Sequence, residues 1–252
     1  LDGKRGSCEI GSCIIKFIQC LPTNVTHVIL YSDNCPGQNR NRYVMTSILY
    51  ALQQCKQLKI VEHKFLVPGH THMEADSVHA RIEITMKSMA LFSMGELELV
   101  IRLSRSKKAY IVIRMQHEEF LDLKTMYANS SVRISHNTKG EKIAFSDICH
   151  YICTKDSQGD LHVTYRSSYK EENFEEVSLH KSKRQSRMME ATGLYSELLP
   201  ISSAKKQNLI DLCNNAVIPA NHHAFYHSLL HSNEIDDEVQ AVQGDEPGDI
   251  EV

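Results

Sequence analysis

The sequence predicts an α/β protein, a sheet flanked by helices, on three observations. Helical and strand patterns alternate over residues 7–89, short loops bearing Pro and Gly separate them, and 42% hydrophobic with 23% charged residues in a 252-residue chain can furnish a real core. Ser7–Leu21 sets Ile10, Ile14, Phe17, Ile18 and Leu21 at helical spacing, and Pro22-Thr23-Asn24 ends it. Val25–Tyr31 is a Val- and Ile-rich run expected to form a strand buried on both faces. It stops at Ser32-Asp33-Asn34, and Pro36-Gly37 marks a loop. Tyr43–Cys55 returns to helical period through Val44, Ile48, Leu49 and Leu52. Lys59–Val67 is a second strand, closed by Pro68-Gly69. Thr71 as N-cap, with Glu74 completing a capping box, opens a helix that runs to about Met89. This order predicts parallel strands, with chemistry in the crevice beyond their carboxyl ends. Asp33 and Gly69-His70 fall there.

The second half is less regular. Glu96–Leu103 reads as a helix, Tyr110–Met115 as a strand and Glu118–Tyr127 as a short helix. Ile143–Cys153 and Leu161–Tyr165 form a β-pair around the turn residues Asp156-Ser157-Gln158-Gly159-Asp160. Lys181–Arg187 is a basic connector, and Ser202–Asn215 and Asn221–Leu230 are a helical pair separated by Pro219. The expected organisation is a main α/β domain over 1–127, a small β-containing region over 128–180, the connector and helices over 181–233, and a disordered tail over 234–252.

Charge follows the same division. The net charge is −3, but eight of the 31 acids lie in 234–252, leaving 23 acids against all 28 bases in 1–233. A mildly basic body with an acidic tail is therefore expected. No run approaches 18 apolar residues, so neither a membrane span nor a membrane partner is expected. The eight cysteines (Cys8, Cys13, Cys20, Cys35, Cys55, Cys149, Cys153 and Cys213) include no CxxC pair and suit reduced thiols in the nucleus or cytoplasm rather than a secreted protein. Leu1 replaces an initiator Met, and Leu1–Gly11 has no signal-peptide core, so the chain reads as an internal fragment.

Two stretches bear candidate chemistry. In Tyr31–Asn41, Asp33 closes an apolar strand, a position suited to a hard cation such as Mg²⁺. Asn34, Gln38, Asn39 and Asn41 can orient that carboxylate or contact a polar substrate; the same residues also make an ordinary turn, in which Asp33 and Asn34 bond to local backbone. In Gly69–Glu83, helical geometry places Val78, Ile82, Met86 and Met89 on one apolar stripe and His72, Asp76, His79 and Glu83 on the next. That flank is either a solvated set of i,i+4 pairs or a functional edge facing Asp33. A zinc site from His70, His72 and His79 is the rival metal reading. Arg102, Arg105, Lys107 and Lys108 form one basic cluster, and Lys181, Lys183, Arg184 and Arg187 another; either can serve phosphates or solvent.

The stretch SDNCPGQNRNRY followed by HKFLVPGHTHMEADSVHARIE resembles the transposase-derived ribonuclease H-like domain found in many uncharacterised animal proteins. RGSCEIGSCIIKFI and LLPISSAKKQNLIDLCNNAVIPANHHAFY resemble its flanking parts. The resemblance implies a mixed sheet flanked by helices, with three strands and a first catalytic acid lying upstream of this chain. It implies Asp33 as the second acid and Asp76, with Glu83 as alternative, as the third. Asn34, Gln38, Asn39, His70, His72 and His79 would support them. It further implies Mg²⁺ or Mn²⁺ at Asp33 and Asp76 and DNA as the partner, for which Arg102, Arg105, Lys107, Lys108, Lys183 and Arg184 of the basic clusters are the candidate contacts. The implied activity is DNA strand cleavage and transfer in a nuclear, possible homo-oligomeric protein, or a domesticated remnant of it. A non-catalytic nucleic-acid or protein binding module with the same fold is the alternative.

Overall fold

The computed structural model describes residues 2–67, 69, 72–179 and 189–233. In chain order its elements are α1 Ser7–Gln19, β1 His27–Ser32, α2 Arg42–Gln54, β2 Ile60–Phe65, α3 Glu74–Met86, α4 Met94–Leu103, α5 Leu123–Asn129, β3 His150–Lys155, β4 Leu161–Arg166, β5 Glu175–Glu176, β6 Ile201–Ser202, α6 Ser203–Asn214, α7 His223–Ser228 and β7 His231–Ser232. They fall into two compact units. One holds the described residues of 2–71 and 116–197, the other those of 72–115 and 198–233.

The first unit is a mixed five-stranded sheet in the order β1-β2-β3-β4-β5, with α1, α2 and α5 packed together. β1 and β2 run parallel, from His27 opposite Ile60 to Ser32 opposite Phe65. β3 then lies antiparallel to β2, and β4 antiparallel to β3. The hairpin between them turns where Asp156 Oδ1 accepts the N–H groups of Gln158 and Asp160 and Gly159 takes φ +94°. The strands alternate, so Val28, Val61, His63, Phe65, Tyr151, Cys153, Val163 and Tyr165 are the buried phase. α2 supplies the centre of the core: Val44, Met45, Ile48, Leu49 and Leu52 are fully buried. Asn41 starts that helix by accepting the N–H groups of Tyr43 and Val44, each at 3.0 Å.

Several expectations need correction. β1 is buried on one face only: Ile29 and Tyr31 are 43% and 56% exposed, because alternate side chains point to the outward face of the sheet, away from the core. Of the residues at helical spacing in α1, Ile18 is buried and Ile14 and Leu21 pack against the core, but Phe17 is exposed, and Cys8, Gly11, Ser12 and Ile15 complete the buried face. Close helix packing decides this, since a Cβ on Gly11 would stand 2.3 Å from Leu123 Cδ1 and 3.0 Å from Ser47 Cβ. Glu9 is buried in the same face because Lys4 N–H, Gly6 N–H and the Tyr195 hydroxyl all donate to it.

Tyr110–Met115 has no regular structure, and Ile111 is almost fully exposed. Strand propensity without a hydrogen-bonding neighbour does not make a strand. The 118–127 helix is instead a 3₁₀ turn at His117–Glu119 followed by α5, which begins where Asp122 accepts the Thr125 N–H at 3.0 Å. The β-pair forms as expected but starts at His150.

The second unit is built from α3, α4, α6, α7 and the short parallel pair β6–β7. Ser93 opens α4 as a true capping box, its Oγ accepting Glu96 N–H while the Glu96 carboxylate takes the N–H groups of Phe92 and Ser93. Glu96 also meets His222 at 3.2 Å, and the Tyr226 hydroxyl donates to the Phe92 carbonyl. α3 has no buried residue; Val78, Ile82 and Met86 are half-buried and Ile84 is exposed. It begins at Met73, not Thr71, which lies outside the described residues.

Candidate functional site

Asp33 stands directly beyond the carboxyl end of β1, exposed, at the start of a loop that runs to Asn41. The loop folds around the Cys35 carbonyl, which accepts the N–H groups of Gln38, Asn39 and Arg40 at 3.2, 2.8 and 3.1 Å. That turn brings the Asn39 side-chain amide to 2.6 Å from Asp33 Oδ1, and Cys35 N–H approaches the same oxygen at 3.4 Å. Oδ2 has no partner among the described residues. Asn34 donates to the Leu66 carbonyl just past β2, joining the two strand ends. Arg40 donates to Asn34 at 3.0 Å, and its guanidinium lies 5.3 Å from the centre of the Phe65 ring, where burial pushes its pKa down. The amides thus divide their work. Asn39 orients the acid, Asn34 ties the loop down, Asn41 caps α2, and the Gln38 backbone closes the turn.

Beneath Asp33 lies a polar chain with no counterpart in the expected site. Ser32 Oγ is 2.8 Å from His63 Nε2, and His63 Nδ1 is 2.8 Å from the Tyr151 hydroxyl. Burial pushes His63 down to about 4, so the ring is neutral, and burial raises Tyr151 well above its usual value, so it remains a phenol. A buried hydroxyl needs an acceptor, and Nδ1 is the one Tyr151 reaches. The His63 proton therefore sits on Nε2 and is donated to Ser32, whose own hydroxyl donates to the Asp33 carbonyl at 3.2 Å. Core packing is in this way coupled to the backbone of the candidate acid. A serine nucleophile is disfavoured by the same tautomer, because His63 offers Ser32 a proton instead of accepting one.

On the outward face of the sheet, Glu62 receives His27 and His150, each through Nε2 at 2.9 Å, and Lys64 at 3.1 Å. Burial opposes ionisation of Glu62, but the Lys64, His150 and His27 contacts outweigh it and hold the carboxyl below its usual range. His150 packs against Tyr169 and Phe174, and the Arg166 guanidinium lies 5.2 and 4.9 Å from those ring centres. Lys64 extends over Tyr31 at 5.8 Å, which reaches back toward the end of β1. Cys153 is wholly buried and its thiol is pushed well up, so it serves as a small core hydrophobe.

The remaining candidates belong to the second unit. Asp76 Oδ2 accepts the Met73 N–H at 2.7 Å and meets His72 Nδ1 at 3.5 Å, so this carboxylate caps its own helix. His72, His79 and Glu83 are exposed on or just before α3. Arg102, Arg105, Lys107 and Lys108 are exposed at and after the end of α4. Of these, Arg105 and Lys107 line an open groove of about 430 Å³ with Arg81, Ser77, Ser106 and Tyr110, residues absent from the expected set. His70, Lys181, Lys183, Arg184 and Arg187 lie outside the described residues, as does the acidic tail.

Among the described residues no group of three or more His, Cys, Asp and Glu converges as a metal-ligand set. Mg²⁺ often takes only one or two carboxylates, with water and phosphate oxygens completing its shell. Asp33, with one oxygen fixed and the other open, suits a contact of that kind. The zinc reading would need His70, outside the described residues, together with His72 and His79, both exposed.

One family model matches the chain, over residues 12–171, and its description is a domain of unknown function, DUF7869. The matched span runs from within α1 through β4, and so includes the Asp33 loop, the His63 chain and α3. No curated protein and no solved structure matches the chain.

Proposed function

Taking as premise that the chain belongs to the DUF7869 family, we propose that it is a ribonuclease H-like, transposase- or integrase-derived nuclease domain that cleaves and joins DNA strands with Mg²⁺ or Mn²⁺, or a catalytically incomplete remnant of one. The observation that carries this reading is the Asp33 carboxylate at the carboxyl end of a parallel β1–β2 pair, with one oxygen held by Asn39 and the other open. In sheets of this kind ligands bind at such strand ends.

Asp33 would hold the ion, and Asn39 with the Cys35 N–H would keep the carboxylate aimed. Asn34, Arg40 and the Tyr151–His63–Ser32 chain would limit movement of the loop. A divalent ion in this class of reaction stabilises the attacking and leaving oxygens of a phosphodiester. Asp76, with Glu83 as alternative, is the further acid in this proposal, and the cations after α4 are the DNA contacts. A nuclear location and possible self-association accompany that activity.

A second reading, a non-catalytic nucleic-acid binding module, is favoured by one specific observation. Asp76 Oδ2 already serves Met73 N–H and His72, so this carboxylate has a structural task at the start of its own helix. The two readings separate in one assay, relaxation of supercoiled plasmid by the chain and by Asp33→Asn with Mg²⁺ or Mn²⁺. Metal-dependent nicking by the parent and none by the variant supports the nuclease; DNA binding by both without nicking supports the binding module.

A further inference from the structure

We propose that the groove of the second unit is a seat for the sugar-phosphate backbone of a single nucleic-acid strand. The choice of polymer rests on the nucleic-acid reading above; the choice of site rests on the groove itself. α3 contributes Arg81 and Ser77, and the segment after α4 contributes Arg105, Ser106, Lys107 and Tyr110. Glu74 is the one acid in the lining, against three cations.

None of Arg81, Arg105 and Lys107 has an ion-pair partner among the described residues. Cations that converge on one concave surface repel one another, and an anion between them removes that repulsion. Guanidinium groups donate in forked pairs to phosphate oxygens, and serine hydroxyls commonly add single bonds to the same oxygens. Ser77 and Ser106 line the groove together with the cations and can supply such bonds.

The aromatic ring narrows the class. The Arg105 guanidinium lies 5.7 Å from the centre of Tyr110. This pair presents a flat, delocalised surface beside the phosphate donors, the combination on which an unstacked base rests. At about 430 Å³ the groove exceeds what one inorganic phosphate fills and lies within the range of ordinary ligand sites. In a duplex the bases are already stacked and cannot reach Tyr110, so one strand is the better fit. The exposed residues Arg102 and Lys108 lie outside the lining, and they would add only sequence-independent attraction.

The test uses the full chain, a labelled oligothymidylate, a hairpin duplex and a chelator, read by fluorescence anisotropy across a salt series. Single substitutions Arg81→Gln, Arg105→Gln and Lys107→Gln are expected to weaken strand binding roughly threefold to tenfold each, and to lower the log–log salt slope by about 0.7 each. Tyr110→Leu is expected to weaken the strand roughly fivefold or more while leaving the duplex within twofold. Arg102→Gln, at a cation outside the groove, is the control and should lower the slope while keeping the preference for strand over duplex. Affinities unchanged in the groove variants would overturn the proposal. So would equal loss of strand and duplex on Tyr110→Leu, or a phosphorylated peptide that binds with the same variant dependence when the oligonucleotide does not. Groove-dependent strand binding without nicking would keep the seat and remove the nuclease reading. Nicking that needs Asp33, with binding indifferent to the groove, would remove the seat alone.

Discussion

Acidification tests the buried chain that carries Asp33. His63 is 1% exposed, and its pKa falls from 6.5 to about 4 because burial disfavours the imidazolium. In the unfolded chain the same ring titrates near its ordinary value. Between these two values the unfolded state binds more protons than the folded state, so stability rises with pH there and is lost as pH falls from about 6.5 toward 4. Linkage over that interval gives a loss of about 2 kcal/mol between roughly pH 7 and pH 4.5 from this one group. The assay is urea unfolding followed by circular dichroism, since the chain has no Trp. His63→Gln keeps an amide donor and acceptor but removes the titration. The difference in stability between the two pH values should be smaller by about 2 kcal/mol in the variant, whatever its absolute stability. Equal pH dependence in both proteins would refute the buried neutral histidine and the tautomer built on it.

Four further outcomes are expected. Tyr151→Phe removes the donor to His63 Nδ1 and should cost about 1–3 kcal/mol, with a His63 tautomer shift visible in ring ¹⁵N chemical shifts; an unchanged tautomer would contradict the proton assignment. Gly11→Ala forces a methyl against Leu123 and Ser47 and should cost about 1–3 kcal/mol in the same urea assay; a neutral result would show that the helices can separate freely. Asn39→Ala should weaken Mn²⁺ binding at Asp33, followed by paramagnetic broadening of the Cys35 and Asn39 backbone amides, by roughly tenfold; broadening at the same Mn²⁺ concentration in both proteins would deny Asn39 an orienting role. Asp76→Asn should cost about 0.5–1 kcal/mol through the α3 start; a much larger effect on nicking than on stability would return Asp76 to the reaction.

Most of the regular elements were legible because local pattern and burial agree in them. Val44, Ile48, Leu49 and Leu52 are enough to place α2, and Pro68-Gly69 is enough to stop β2. α1 shows where pattern fails. Hydropathy includes Phe17 with Ile14, Ile18 and Leu21, but Gly11 and Ser12 permit helices to approach closely, and that contact turns the buried face toward Cys8, Gly11 and Ile15 and leaves Phe17 exposed. Tyr110–Met115 has the composition of a strand and no ladder to join.

At the candidate site, Asp33 was legible as a polar stop after an apolar run, and Asn39 as one of several nearby amides. The His63 chain has a signal in the sequence of its own strand. His63 shares the buried phase of its strand with Val61 and Phe65, and a polar residue in that phase needs partners. Its partner Tyr151 lies far along the chain in β3, so only tertiary pairing identifies it. The grouping of Arg81 with Arg105 and Lys107 is hidden for the same reason: α3 and the segment after α4 meet in space, while the sequence shows Arg81 far from the other two.

The central claim is that the Asp33 carboxylate serves phosphodiester chemistry. The most direct measurement is the rate of Mn²⁺-dependent nicking by the chain and by Asp33→Asn, at DNA concentrations that saturate both. The account predicts metal-dependent nicking by the parent chain and a fall of about a hundredfold or more in the variant, with DNA affinity unchanged. Nicking at equal rates in the two proteins would contradict it.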